Sequence, residues 1–166
     1  GVPIFSTEHW IVDAQMTHTA WMLRGAGVPE GVHTDELTST VDLYPVLGAL
    51  CNFPVSSAVD GVLPRVFGGA GRDLVFSNSL YPTKPYVLAA RSKEHTLCLE
   101  TPEAVGMDGT VDLAHANVAI YPSAHENEAG YAVDSPELRA FFYPRVREFL
   151  RGIGNNGESF PLPKEP

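Results

Sequence analysis

Histidine is the side chain whose ordinary pKa lets it exchange protons near neutrality, and its neutral ring also binds metal ions. In this 166-residue chain the candidates for catalysis are His9, within Glu8-His9-Trp10, and His18, just before the apolar run Ala20-Trp21-Met22-Leu23. Asp13 precedes His18 by five residues, near enough to orient its ring or share a metal with it. His33, His95, His115 and His125 are scattered, with no i,i+4 pair and no His-x-His, so they do not suggest a second metal site. Cys51 and Cys98 lack Cys-x-x-Cys spacing and are too few for a thiolate zinc site or a disulfide scaffold. They read as two buried thiols, with a disulfide as the other arrangement. No residue pattern identifies metal ligands. Gly68-Gly69-Ala70-Gly71 lacks the Gly-Lys-Ser/Thr that completes a phosphate cradle.

These residues must be held by elements that the pattern outlines. Ala20–Leu23, closed by Arg24-Gly25-Ala26-Gly27, reads as a buried strand entering a turn. Leu37 to Leu50 reads as a helix with Asp42 as N-cap, Pro45 in the first turn, and Leu43, Val46, Leu47 and Leu50 on one face. Asn52-Phe53-Pro54 stops it. Leu74–Phe76, Tyr86–Ala90, Thr96–Leu99 and Asn117–Tyr121 are short apolar runs between turn residues, the signature of an antiparallel meander. A second helix is predicted from Pro136 to Arg151, with Ser135 as N-cap and Gly152 beyond its end. Pro144 lies inside it and predicts a kink. The fold class is α/β, with an α+β character in this part. Residues 1–70, 71–154 and a mobile tail, 155–166, are the expected divisions.

Composition removes several classes. Eleven Lys and Arg against 20 Asp and Glu give a net charge of −9. With no basic cluster to displace counterions from phosphates, nucleic-acid binding is not expected. No apolar run reaches the roughly 20 residues that span a bilayer, so no membrane partner is expected. An apolar fraction of 44% and a charged fraction of 19% are globular proportions. The start at Gly1 has neither a charged n-region nor a long h-region, so it does not read as a signal peptide; either something has been removed or the chain begins inside a longer protein. The cellular compartment is left open.

The order Arg24-Gly25-Ala26-Gly27-Val28-Pro29-Glu30-Gly31, Asp35-Glu36-Leu37, Ser39-Thr40-Val41-Asp42-Leu43-Tyr44-Pro45-Val46-Leu47 and Asp60-Gly61 resembles the later part of sulfatases, and more broadly the alkaline-phosphatase superfamily. The resemblance covers residues 8–151 and is most specific over 24–61. It implies the C-terminal part of an alkaline-phosphatase-like sandwich, closed by a small antiparallel sheet and a terminal helix. Glu8-His9-Trp10 resembles the Glu-His-Gly that trails the family's metal motif, so His9 would face the cleft. His18 falls near the family's Arg before its Val-Pro, where related phosphatases carry a metal-binding His. No Lys or Arg occurs between Glu8 and Ala20, which leaves the histidines as the cations in reach.

The family's Cys/Ser-x-Pro-x-Arg nucleophile motif, its paired aspartates and its Asp-His/Asn-Gly metal motif do not occur in this sequence. The resemblance therefore implies the C-terminal portion of a metal-dependent sulfuric or phosphoric ester hydrolase, inactive alone. Its partners would be the N-terminal portion of the same protein and a small-molecule ester. The intact enzyme would use a divalent metal, Ca or Mg ahead of Mn or Zn, and this portion alone none. Loops Glu30–Glu36 and Ser79–Pro85 would shape the pocket, and an apolar face left open would favour self-association. The alternative is a non-catalytic α/β module that binds a partner.

Overall fold

The computed structural model describes residues 12, 14–128 and 130–153. The chain divides into two compact units, Thr19–Val75, and Gly1–His18 together with Phe76–Pro166. It is a mixed helix and sheet protein of the α+β type, with one four-stranded sheet of order β1-β2-β3-β4.

In the Thr19–Val75 unit the regular elements are a 3₁₀ turn at Thr40–Asp42, helix α2 at Leu43–Cys51 and a second 3₁₀ turn at Arg65–Phe67. Helix α1, a single turn at Ala14–Thr17, belongs to the other unit. The expected strand at Ala20–Leu23 does not form. Trp21 is 36% exposed and Met22 88% exposed, and no ladder among the described residues includes them. A strand is stable only beside a partner whose N–H and C=O groups it can bond, and a four-residue apolar run supplies none by itself.

The helix entry is also corrected. The chain turns helical at Thr40, and the extended residue before it is Ser39 (φ −120°, ψ 155°). Asp42 is already in helical geometry, with φ −76° and ψ −13°, and its side chain caps nothing in α2. Instead Oδ2 accepts from the Ser39 N–H at 2.8 Å, bonding back from the first turn. At the far end Asn52 takes the left-handed conformation (φ 54°) and Phe53 N–H bonds Gly48 O at 3.1 Å, so the predicted stop stands. Pro45 lacks the N–H that would have bonded Val41 O. Gly61 comes against that carbonyl: a Cβ there would lie 2.3 Å from Val41 O and 2.8 Å from Pro45 Cδ. Only a glycine fits so close.

The second unit carries the sheet. Its strands are β1 Val75–Ser79, β2 Pro85–Arg91, β3 His95–Ala104 and β4 Asn117–Pro122, which matches the four predicted runs. The β2/β3 and β3/β4 pairs are antiparallel. The register slips between Pro85 and Val87, where Tyr86 N–H bonds the buried Thr101 Oγ1 at 2.9 Å instead of a ladder carbonyl.

One sheet face, from Tyr86, Leu88, Ala90, Leu97, Leu99 and Ile120, is fully buried; in the same unit α3 contributes the buried Phe142, Val146 and Leu150. Helix α3 runs from Pro136 to Gly152, starting where predicted, with Ser135 Oγ accepting from Leu138 N–H; the expected stop at Gly152 is corrected, since that glycine is the last helical residue and Ile153 follows as the C-cap. The helix continues through Pro144, which sits on the exposed side where water can take the missing bond. Phe149 stacks on Phe76 of β1 at 4.4 Å. Ser135→Ala should cost about 1 kcal/mol, because the first turn loses its acceptor. Urea unfolding checks this, and a loss below about 0.3 kcal/mol would mean Pro136 alone sets the helix start.

Candidate functional site

The other face of the sheet holds a concavity of about 270 Å³. Antiparallel pairing sets its floor, because directly opposed residues share a face. Ala89, Cys98 and Ala119 form one row across β2, β3 and β4. Three small side chains side by side leave the hollow. On one side lies the row Val87, Glu100, Asn117; on the other lies Arg91, Thr96, Tyr121. Val12, Glu126 and Asn127 complete the wall.

The Arg91 end is the ordered one. Its guanidinium forms a two-pronged pair with the Glu126 carboxylate, Nε to Oε2 at 2.9 Å and Nη2 to Oε1. Nη2 also donates to the Val12 carbonyl, and Thr96 Oγ1 bonds Glu126 Oε2 at 3.3 Å. Both partners are nearly withdrawn from water, at 12% and 6% side-chain exposure. Among the described residues the buried Arg91 Nη1 has no partner. Burial raises the pKa of the Tyr121 phenol, and the neighbouring Cys98 adds to the shift, so Tyr121 stays a neutral donor at physiological pH.

Among the described residues this hollow holds a thiol, a phenol, two amides and two carboxylates, and its lining includes no Lys, Arg or His. An anionic ester would meet carboxylates there. The wall instead suits neutral or cationic groups, and the buried Arg91 beside it is already paired with Glu126.

The predicted site residue that the structure describes, His18, does not line the hollow. His9 and Asp13 lie outside the described residues. His18 is exposed, follows α1 with its N–H on Ala14 O at 2.8 Å, and is not part of the hollow. Ser79–Pro85 does not line it. Cys51 is exposed rather than buried, Cys98 is half-buried, and no disulfide joins them. Among the described residues no group of three or more His, Cys, Asp and Glu is arranged to hold a metal ion. Arg91, Thr96 and Glu126 were not legible beforehand, since only the register brings them together.

A second cluster, in the Thr19–Val75 unit, gathers residues that carry the sequence resemblance. Asp42 is 1% exposed. Its Oδ1 accepts from Val62 N–H at 2.7 Å, and Arg72 Nε reaches Oδ1 and Oδ2 at 2.9 and 2.8 Å. Arg72 Nη2 also donates to Asp60 O at 2.6 Å. Beside it, Glu36 accepts the Arg65 N–H at 2.8 Å, anchoring the second 3₁₀ turn. A Cβ on Gly71 (φ +67°) would fall 2.1 Å from Glu36 Oε1. The cluster ties loops together, with the Asp42 and Glu36 carboxylates nearly withdrawn from water.

Fold and sites define an α+β protein with a half-polar hollow on its sheet. Compared with known proteins, the chain matches no family model, no curated protein and no solved structure. No described helix is long and apolar enough to cross a membrane.

Proposed function

We infer that this chain is the C-terminal portion of a sulfatase-type ester hydrolase. It would support a cleft whose nucleophile and principal metal ligands lie in another part of the protein. One observation carries the reading. The residues that resemble sulfatases, Ser39, Asp42 and Asp60-Gly61, are separated in sequence yet meet around Arg72: Asp42 bonds Ser39, Val62 and Arg72, and Arg72 bonds Asp60. Residues matched by chance would not be expected to share one buried node. The antiparallel sheet and terminal helix that follow accord with the family's closing subdomain. In the intact enzyme a divalent ion, Ca or Mg first, would offset charge on the transferred group.

The chain alone should turn over neither 4-nitrophenyl sulfate nor 4-nitrophenyl phosphate with Ca²⁺, Mg²⁺, Mn²⁺ or Zn²⁺, because catalytic groups that act as a unit lose nearly everything when one is removed. A longer natural form carrying a Cys/Ser-x-Pro-x-Arg segment upstream should hydrolyse one of them, with His18→Ala cutting kcat/KM by roughly 100-fold if His18 faces the cleft. Metal-dependent turnover by the 166-residue chain would overturn the reading, as would an inactive long form.

A further inference from the structure

The floor and the rim of the sheet hollow differ in chemistry. Ala89, Cys98 and Ala119 make the floor, with no side chain longer than a thiol. The flanking rows stand two residues further along each strand, about 7 Å to either side. Tyr121 lines one end, with Glu126 and Asn127 on the wall, and Asn117 and Glu100 line the other. No hydrogen bond ties the side chains of Tyr121, Asn117 and Asn127 to another described residue. Their bonding capacity is therefore open to a guest: each amide offers two donors and an acceptor, and the phenol a donor and an acceptor.

We propose that the hollow binds a single uncharged polyhydroxy ring, of the kind found in monosaccharides and cyclitols. Charge is the first discriminant. An anion would meet the Glu100 and Glu126 carboxylates, with no Lys, Arg or His in the described lining to hold it. A cation would find the Glu126 carboxylate already offset by the two-pronged Arg91 pair. Bonding pattern is the second. Polar groups on both sides of a small, largely apolar floor suit a guest with hydroxyls around its edge and C–H groups on its face. An amide, donor and acceptor side by side, matches two neighbouring hydroxyls, one accepting and one donating. Size is the third. About 270 Å³ lies below the roughly 300–1,000 Å³ of sites that take drug-sized ligands, so the hollow admits one ring. So few bonds, each worth about 1 kcal/mol net, give a dissociation constant of about 1–10 mM. The hollow would bind such a ring whether or not a longer form of the protein hydrolyses esters.

Proton–nitrogen NMR titration of the 166-residue chain tests this. The probes are the methyl glycosides of glucose, galactose and mannose, and myo-inositol, each to about 50 mM. At least one should bind saturably, with shifts centred on residues 87–89, 98–100 and 117–127; which one binds separates the sugar from the cyclitol source. Tyr121→Phe removes the hydroxyl and keeps the ring. Asn127→Gly removes the amide and keeps the left-handed backbone (φ 59°). Each should weaken binding about fivefold, the scale of one lost hydrogen bond. Ala119→Leu fills the floor and should abolish binding, with circular dichroism showing that the variants fold. Met107→Glu, at an exposed residue outside the lining, should change nothing. No saturable binding by any probe would overturn the proposal. So would a probe that binds the folded Tyr121→Phe and Asn127→Gly variants as tightly as the wild type, or sulfate or butylammonium producing the same shifts at lower concentration.

Discussion

Asp42→Ala should lower the unfolding free energy by about 3 kcal/mol, well beyond the roughly 1 kcal/mol of a lost helix cap. The difference comes from what is left behind. Arg72, with 17% of its side chain exposed, keeps its charge but loses the carboxylate, and the Ser39 and Val62 N–H groups lose their acceptor. Removing one member of a buried ion pair costs more than the pair contributes, because the remaining ion is desolvated and uncompensated. Urea unfolding measures the loss. Hydrogen exchange should place it around residues 39–72, the span that the carboxylate ties together. A loss near 1 kcal/mol would mean that water reaches Arg72 and replaces the carboxylate.

The same group sets a pH dependence. Burial raises the Asp42 pKa, but the Arg72 hydrogen bonds, the Val62 and Ser39 amides and the Arg72 charge outweigh it and hold the carboxyl below its ordinary value. A carboxyl depressed in the folded state stabilises above its unfolded pKa, near 4, and that contribution drains as pH falls through the lower folded value. Wild type and Asp42→Asn should therefore differ most near neutrality and converge below about pH 4. A gap that stays constant down to acid unfolding would exclude Asp42 as the titrating group.

The second large effect is expected in the other unit. Glu126→Ala leaves the Arg91 guanidinium nearly buried, with the Val12 carbonyl as its remaining acceptor among the described residues, at a cost of about 3 kcal/mol. Replacing both partners by apolar residues, Arg91→Met with Glu126→Leu, should recover most of that loss, because no ion remains to be desolvated. Chemical denaturation of the single and double variants separates the two cases. If the double variant is as unstable as the single, the geometry that Glu126 gives to Thr96 and the end of β4 matters more than the charge. Hydrogen exchange for this pair should change around residues 86–126, so the two predictions report on different units.

Much of the fold was legible in the residues themselves. Ser135 and Pro136 start α3 where predicted because capping acts within a turn of the residue that performs it. The four strands and their antiparallel meander followed from short apolar runs between turn residues. Asn52-Phe53-Pro54 ended α2 for the same local reason.

Tertiary structure decided the rest. Asp42 has the right type and place for a cap, yet its partner is Arg72, 30 residues on. The guanidinium joins the Ser39 and Val62 amides on the same carboxylate, and no local pattern announces it. Ala20–Leu23 has strand composition without a strand, because pairing is supplied by a neighbour and not by the run. The stripe of α2 was readable as apolar, but whether Leu43 and Leu47 are covered depends on what packs against them. The row Ala89, Cys98, Ala119 becomes a hollow only once the register aligns three separate strands, since a slip of one residue would turn each of those side chains to the opposite face.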